Sequence, residues 1–390
     1  MLLDGARAPG AKILVSGGSR CNVTNASVTE RDFWGGSPAL IRRVLRAFPV
    51  AKTIAFFDEI GIQLREEAGG KLFPATNRAR DVLDALLRET QRVGVELEPS
   101  QRVLQIDRNG DAFRIVSPAR EVIASRVVLA TGGQALPKSG SDGAGYGLAQ
   151  RLGHTIVPTT PALAPLLLDG ADAMHGSLSG VSHAVELTVR VDAAVAMRLT
   201  GALLWTHFGI SGPVVLNASR HWLRAQLEGR LASMTANFCP GRQFDDLDDD
   251  WQSRARTSPR ATVHATMAGL VPASVAAACL RRLDIDGAVT LAHLARDDRR
   301  RIVRALVEWP LPVVGSRGYT YAEATAGGVA LAEIDAATMR SRVCPGLSVV
   351  GEVLDVDGKI GGFNFQWAWS SGFVAGRALA MGPLARELRS

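Results

Sequence analysis

Val127-Val128-Leu129-Ala130-Thr131-Gly132-Gly133 is the stretch that decides the fold. Its run of branched apolar residues predicts a strand buried on both faces, as in a parallel sheet covered by helices on each side. The run passes straight into Thr-Gly-Gly, where a missing Cβ lets a flat ring or a phosphate lie against the backbone. A tight strand exit is the alternative reading of the same turn. Just upstream the pattern alternates: Arg102 to Ile106 and Ala112 to Val116 flank Asn109-Gly110, a two-strand hairpin signal. Further upstream the period is helical. Leu40, Ile41, Val44, Leu45 and Phe48 form one apolar stripe ended by Pro49. Ile54, Phe57 and Ile60 form a second that stops near Gly61, and Val82, Leu83, Leu86 and Leu87 a third, with Asn77 available as a cap and Gly94 past its end. Met1 to Asp4 reads as the tail of a buried strand closing on an acid. This order predicts an α/β sheet layered by helices.

Downstream the character shifts near Thr160. Pro158, Pro161 and Pro165 punctuate the chain, and alternation from Ala184 to Val191 predicts antiparallel strands. Between Pro240 and Pro259 lie Asp245, Asp246, Asp248, Asp249 and Asp250, read as a solvated loop or helix start rather than a metal site. A helix follows with Leu291, Leu294, Ile302, Val303 and Leu306 on one face. Glycine-rich character returns near Gly318. The strand Leu347 to Val350 then leads to Gly351-Glu352, and Gly361-Gly362-Phe363-Asn364 opens an apolar helix, Trp367 to Ala380. The expected organisation is a nucleotide-binding domain from residues 1–160 and 319–390, interrupted by a β-rich domain over 161–318 with a helical subdomain near 240–310.

Composition sets the class. The chain has 390 residues, 47% apolar and 21% charged, which suits globular domains with full cores. Its net charge of +6 is spread along the chain, with Arg299-Arg300-Arg301 the only run of three, read as a solvated helix face. On that scatter no nucleic-acid partner is expected. Cys21, Cys239, Cys279 and Cys344 form no CxxC pair, so neither a metal site nor a disulfide framework is read from them. There is no signal-peptide pattern, and no apolar run reaches the roughly 18 residues of a spanning helix, so a cytoplasmic protein without membrane contact is expected.

Several short motifs can carry chemistry. Asp4 closes a strand where an acid can accept ribose hydroxyls, although an Asp there is also a common turn former. Ser16-Gly17-Gly18-Ser19-Arg20-Cys21-Asn22 offers consecutive backbone N–H groups that can ring an anion, with Arg20 adding charge. Glu352 can hold a polyol hydroxyl, and the helix opened by Gly361-Gly362 favours the electron-rich edge of a reduced flavin. His207 is the one candidate acid or base, set against a hydrogen-bonded structural histidine. Cys21 is weighed as a redox thiol and read as a packing residue. Trp367 and Trp369 are read as packing the last helix.

Lys12 to Asn25 (KILVSGGSRCNVTN), Trp205 to Pro213 (WTHFGISGP), Thr325 to Leu331 (TAGGVAL) and Gly351 to Gly376 (GEVLDVDGKIGGFNFQWAWSSGFVAG) resemble the BaiN/YhiN-type flavoproteins, known as NAD(P)/FAD-dependent oxidoreductases and, for some members, as aminoacetone oxidases. The resemblance spans essentially the whole chain. It implies a doubly wound, Rossmann-like FAD domain built from both ends around the β-rich insertion. It implies FAD contacts from Asp4, Lys12, Ser16, Gly17, Gly18, Arg20, Cys21, Asn22, Thr131, Gly132, Gly133, Gly351, Glu352, Gly361, Gly362, Phe363 and Asn364, with a backbone contact from Val103 to the adenine. One departure stands out. The family opens with a strand and a GxGxxG-type turn, and here Met1 falls within the second strand. The expectation is therefore a native product that is longer than this chain, with weak FAD binding at best by these 390 residues alone. An in-frame upstream segment without a glycine-rich strand–turn–helix pattern overturns it. The implied activity is FAD-dependent oxidoreduction of an unknown small substrate bound between the domain and its insertion, with oxygen or NAD(P)H as candidate electron partners. An FAD-dependent RNA-modifying protein and a cofactor-poor binding protein are the alternatives.

Overall fold

The computed structural model describes residues 1–170 and 174–381. Residues 382–390, part of the stretch expected to close the first domain, lie outside the described residues. The chain divides into two compact units, one from 1–160 with 323–390 and the other from 161–322.

The first unit contains parallel strand pairs. Leu2–Leu3 runs beside Leu97–Glu98, and Val127–Leu129 beside Leu347–Val349, with Val127 opposite Leu347. The helices are amphipathic for local reasons. Pro38–Ala47 begins with a proline, which costs nothing where the N–H has no helical partner, and buries Ile41, Val44 and Leu45 at spacings of three and four. Those side chains join Leu129, Leu347, Val349 and Trp367 in one core. Val50–Glu59 and Ala79–Arg92 follow, and Phe363–Ala380 closes the unit.

Several sequence expectations are corrected. Met1 to Asp4 is not a buried strand tail: Leu2 is 44% exposed, because its strand has a single hydrogen-bonded neighbour. Val127 to Ala130 is likewise not covered on both faces, since Val128 is 41% exposed at a strand with one partner. The hairpin pairs Gln105–Asn109 with Ala112–Val116, so its strand starts three residues later than expected and its turn residues are Gly110 and Asp111. Arg78, not Asn77, precedes the helix Ala79–Arg92. Asn77 stands at φ 56° with its side chain accepting from Arg65.

The second unit is built on a seven-stranded antiparallel sheet. Ser182–Val191 pairs with Ala194–Thr206, and alternation buries Val185, Leu187, Val189 and Val191. Helices Phe244–Thr257, Val263–Ala268, Ala273–Leu283 and Arg296–Val307 share its core through Leu247, Trp251, Val275 and Leu306. The aspartate run begins the first of these helices, with Asp245 and Asp246 in the first turn, where the helix dipole favours negative charge. Leu291 and Leu294 lie before the helix Arg296–Val307 rather than on it. The three arginines are not a uniform solvated face. Arg299 turns inward and holds the buried Asp248 at 2.9 and 3.3 Å. Among the described residues no helix is long and apolar enough to cross a membrane.

Candidate functional site

The glycine loop is a distorted helix end. Within Ala11–Ser19, Ser16 is extended (φ −66°, ψ 149°), and Gly17, Gly18 and Ser19 follow at φ 55°, 69° and 65°. Left-handed geometry costs a side-chain-bearing residue roughly 1–2 kcal/mol, which explains two glycines in this run. The turn is closed by Cys21 N–H donating to Ser16 O at 3.0 Å. The two glycines differ in purpose. A Cβ on Gly17 would sit 2.8 Å from the Phe73 ring, whereas one on Gly18 would meet nothing within 4 Å. Arg20 is already engaged, stacked 4.0 Å over Phe73 and donating to both oxygens of Glu67. Cys21 is fully buried, and burial pushes its thiol up to about 11, which fits a packing residue. Asn22 Oδ1 is buried without a hydrogen-bond partner. Such an acceptor costs about 1–3 kcal/mol unless a donor reaches it.

This loop is tied to the opposite end of the chain. Asn25 Nδ2 donates to Gly361 O at 3.1 Å, and a Cβ on Gly362 (φ 95°) would lie 2.4 Å from the Thr24 carbonyl. Only glycine lets these backbones meet. The Asn364 side chain both accepts from Gly358 N and donates to Gly358 O, fixing the approach to the helix Phe363–Ala380. Phe363 packs edge-on against Phe33. Trp367 Nε1 donates to Gly351 O and Trp369 Nε1 to Val23 O, so both tryptophans anchor the helix. Gly351, at φ 77°, has open space where a Cβ would stand.

A third group joins four distant motifs. Lys12 Nζ donates to Glu352 Oε2 at 2.5 Å, and Thr325 N donates to Glu352 Oε1 at 2.9 Å. Thr325 Oγ1 accepts from Gln134 N and Ala135 N at 2.8 and 3.1 Å, pinning the turn after Gly133. A Cβ on Gly133 would lie 2.5 Å from Thr325 Oγ1, and one on Gly132 2.7 Å from Ser141 Oγ. Thr131 fills the space that a side chain at position 145 would need. Thr325 was missed as a site residue, although the TAGGVAL stretch contained it. Lys71 and Glu323 were missed outright. The Lys71 side chain passes 3.6 Å from the Cβ position of Gly361, and Glu323 feels the charges of Lys71 and Lys12.

Asp4 and Val103 lie in adjoining segments. Gln101 N donates to Asp4 O at 2.8 Å, and Gly5 packs on Arg102. Asp4 Oδ1 also accepts from Ala6 N at 2.7 Å, so the acid does shape its own turn. His207 belongs to the 161–322 unit. It is exposed in the turn between Ala194–Thr206 and Gly209–Ser211, touches Phe208 edge to face, and among the described residues makes no hydrogen bond, which corrects the hydrogen-bonded reading.

Comparison with known proteins matches residues 1–378 to the family described as HI0933-like protein Rossmann domain. A 3-dehydro-bile acid delta(4,6)-reductase of Clostridium scindens is 32% identical over 374 residues, covering 96% of this chain and 91% of that protein. A ribosomal RNA dihydrouridine synthase of Escherichia coli is 31% identical over 387 residues, covering 97% and 91%. Its namesake in Haemophilus influenzae is 29% identical over 383 residues, covering 97% and 92%. These last two overturn the exclusion of nucleic acid. Scatter along a sequence does not measure clustering in space: Arg301 donates to the Leu283 carbonyl, at the end of the helix carrying Arg281 and Arg282.

Proposed function

The chain belongs to the HI0933-like Rossmann family of flavoprotein oxidoreductases, and from that premise we propose that it reduces a carbon–carbon double bond conjugated to a carbonyl, using FAD. The reactions named for the relatives support this. A 3-dehydro-Δ4,6 bile acid and a uridine both carry a C=C in conjugation with C=O, and both named reactions saturate such a bond. The shared chemistry is addition of a hydride to the β-carbon and a proton to the α-carbon. Bound flavin supplies the hydride.

The observation that carries the reading is the hydrogen-bonded chain Lys12–Glu352–Thr325–Gln134, which draws four separate motifs to one place. The residues also fit the cofactor. Gly18 and Gly351 leave open space against the backbone, and Asn22 presents a buried acceptor without a donor. In this reading Asp4 and the Val103 backbone hold the adenosine end. The Ser16–Asn22 loop, Thr131–Gly133, Gly351, Glu352 and the Gly361–Asn364 turn hold the remainder.

The test is anaerobic. The protein is loaded with FAD, reduced with dithionite, and offered a 3-keto-4,6-diene steroid or an unmodified ribosomal RNA transcript in separate cuvettes. Return of the oxidised flavin spectrum with either probe, and a saturated product, is the expected result. A reduced flavin that reacts with neither, or a protein that takes up no FAD, overturns the reading.

A further inference from the structure

The Arg20 side chain shows how this protein uses a guanidinium fully. It lies 4.0 Å over the Phe73 ring, and its Nη1 donates to both oxygens of Glu67 at 3.0 and 3.1 Å. A ring on the face and an oxyanion on the edge occupy the whole group. In the 161–322 unit, Arg317 repeats the first half of that arrangement. Its guanidinium lies 3.4 Å over the Tyr321 ring and 4.5 Å over the Phe208 ring. The second half has no counterpart: among the described residues the Arg317 side chain has no hydrogen bond and no ion pair. We propose that Arg317 is an oxyanion-binding site, taking a phosphodiester or a carboxylate of a ligand on the edge of its guanidinium. The assignment goes beyond the flavin reading above and needs neither bound flavin nor turnover.

The fold builds the stack around one strand. Leu166–Leu168 pairs with Gly209–Ser211 on one side and with Val313–Ser316 on the other. Phe208 stands just before the first of these neighbours and Arg317 just after the second. Both are tied to the shared strand and its lead-in: Leu168 N donates to Phe208 O at 3.2 Å, and Arg317 N to Pro165 O at 3.1 Å. Glycine at 209 permits the approach, since a Cβ there would lie 2.3 Å from the Leu166 carbonyl oxygen. Beyond Arg317 the chain turns back at Gly318, with φ 68°. Tyr321 N donates to Gly318 O at 3.2 Å, and the turn lays the Tyr321 ring on the guanidinium.

Charge and solvation point to a ligand. Arginine keeps its proton at any working pH, so the positive charge is permanent. The rings attract that charge through their faces but give its N–H groups no oxygen to donate to. Arg317 is half-buried and Tyr321 is 48% exposed, so the stack reaches the surface where an anion can meet it. Two rings already hold the guanidinium, so little side-chain freedom is lost when a ligand arrives. A planar fork held in place suits an anion that presents two oxygens. The phosphodiesters of single-stranded RNA and the carboxylate of a steroid acid supply that chemistry alike. Only this choice of probes comes from the flavin reading.

The test measures binding by the full chain. A fluorescein-labelled decauridylate is titrated by anisotropy, and a 3-keto-4,6-diene steroid acid and its methyl ester by calorimetry. Arg317→Gln should weaken binding of one of these anions by about 10- to 150-fold, the loss of a charge-assisted contact, and so identify the source. If the source is RNA, the slope of log Kd against log salt should shrink by about 0.7, for one phosphate on a single strand. If it is the steroid acid, wild type should bind the methyl ester as weakly as the variant binds the acid. A guanidinium that only props the strand ends would move neither readout. Arg317→Lys keeps the charge without the fork, so it should recover only part of the loss. Tyr321→Ala should weaken the same ligand about 2- to 30-fold, and Tyr321→Phe should not. Should R317Q not fold, the two Tyr321 variants decide, and equal affinities for them overturn the assignment. Failure of the wild type to bind either anion overturns it, as does an R317Q protein that binds both like wild type. A chain that binds one anion through Arg317 but takes up no FAD keeps this site and loses the flavin reading.

Discussion

Replacing Gln366 with Leu tests how the last helix is locked to the glycine loop. Gln366 is buried and uses its full amide. Its Oε1 accepts from Thr24 Oγ1 at 2.6 Å and Thr53 Oγ1 at 2.9 Å, and its Nε2 donates to Phe48 O and Ser370 Oγ, both at 3.0 Å. Leucine keeps the bulk and removes every partner. Phe48 O retains the Ser370 hydroxyl, but the hydroxyls of Thr24 and Thr53, both fully buried, lose their acceptor. At about 1–3 kcal/mol per unsatisfied buried donor, the loss is about 2–6 kcal/mol. Against a typical urea m-value of about 2 kcal/mol/M, even the lower bound moves the unfolding midpoint by about 1 M. Urea titration followed by far-UV circular dichroism measures this directly. The triple variant Thr24→Val, Thr53→Val, Gln366→Leu should recover most of the loss, because removing both sides of a buried hydrogen bond is nearly neutral. A midpoint for Q366L within about 0.2 M of wild type, or a triple variant no better than the single, refutes the reasoning.

Other perturbations reach different parts of the unit. Lys12→Met removes the cation beside Glu352, leaving a largely buried carboxylate without it. FAD affinity, read by quenching of flavin fluorescence, should weaken about 5–50-fold, for a cost of about 1–2.3 kcal/mol, and an unchanged affinity counts against the Lys12–Glu352 pair as part of the cradle. Burial raises the Glu333 carboxyl, but hydrogen bonds from Thr155 and His154 outweigh it and hold the group below its usual range. A depressed folded-state pKa gives stability that is present above the unfolded value, about 4.3, and lost as pH falls through the folded one. Glu333→Gln should therefore flatten the acid side of a melting-temperature-against-pH curve, and a variant as acid-sensitive as wild type would contradict this. Burial pushes the Cys21, Cys239 and Cys279 thiols up to about 11, 11 and 12. Ellman's reagent at pH 8 should label none of them in native protein and all four cysteines in denaturant; rapid native labelling would show a reactive thiol.

What the sequence revealed depended on range. The stripe Ile41, Val44, Leu45 and a hairpin near Gly110 are local signals, set by periodicity and turn chemistry, and both form, the hairpin with its first strand and turn displaced from the expected positions. Strand coverage is a property of neighbours, so the apolar run at Val127 did not disclose that Val128 would be exposed. The site divides the same way. Gly132, Gly133, Gly361 and Gly362 announce close backbone approaches by composition. What they approach is not written locally: Gly362 meets the Thr24 backbone, and Gly133 the side chains of Thr325 and Glu352. Glu323 and Lys71 carry no motif at all. Only the fold brings the strand beginning at Lys71 and the lead-in to the strand Ala324–Val329 toward Lys12.

The side chains that looked most like ligands in the sequence are the ones already occupied. Arg20 is spent on Glu67 and Phe73, Lys12 on Glu352, and Glu352 on Lys12 and the Thr325 amide. Left over are backbone at Gly18 and Gly351 and the Asn22 acceptor. This division has a physical consequence. Charged pairs that are made before any ligand arrives hold the loops in place, so the ordering cost is met during folding rather than at binding. Binding then draws on fixed main-chain groups, whose strength depends on the geometry of the turns. Loosening a pair such as Lys12–Glu352 should therefore act on affinity through the Gly133 and Gly351 turns.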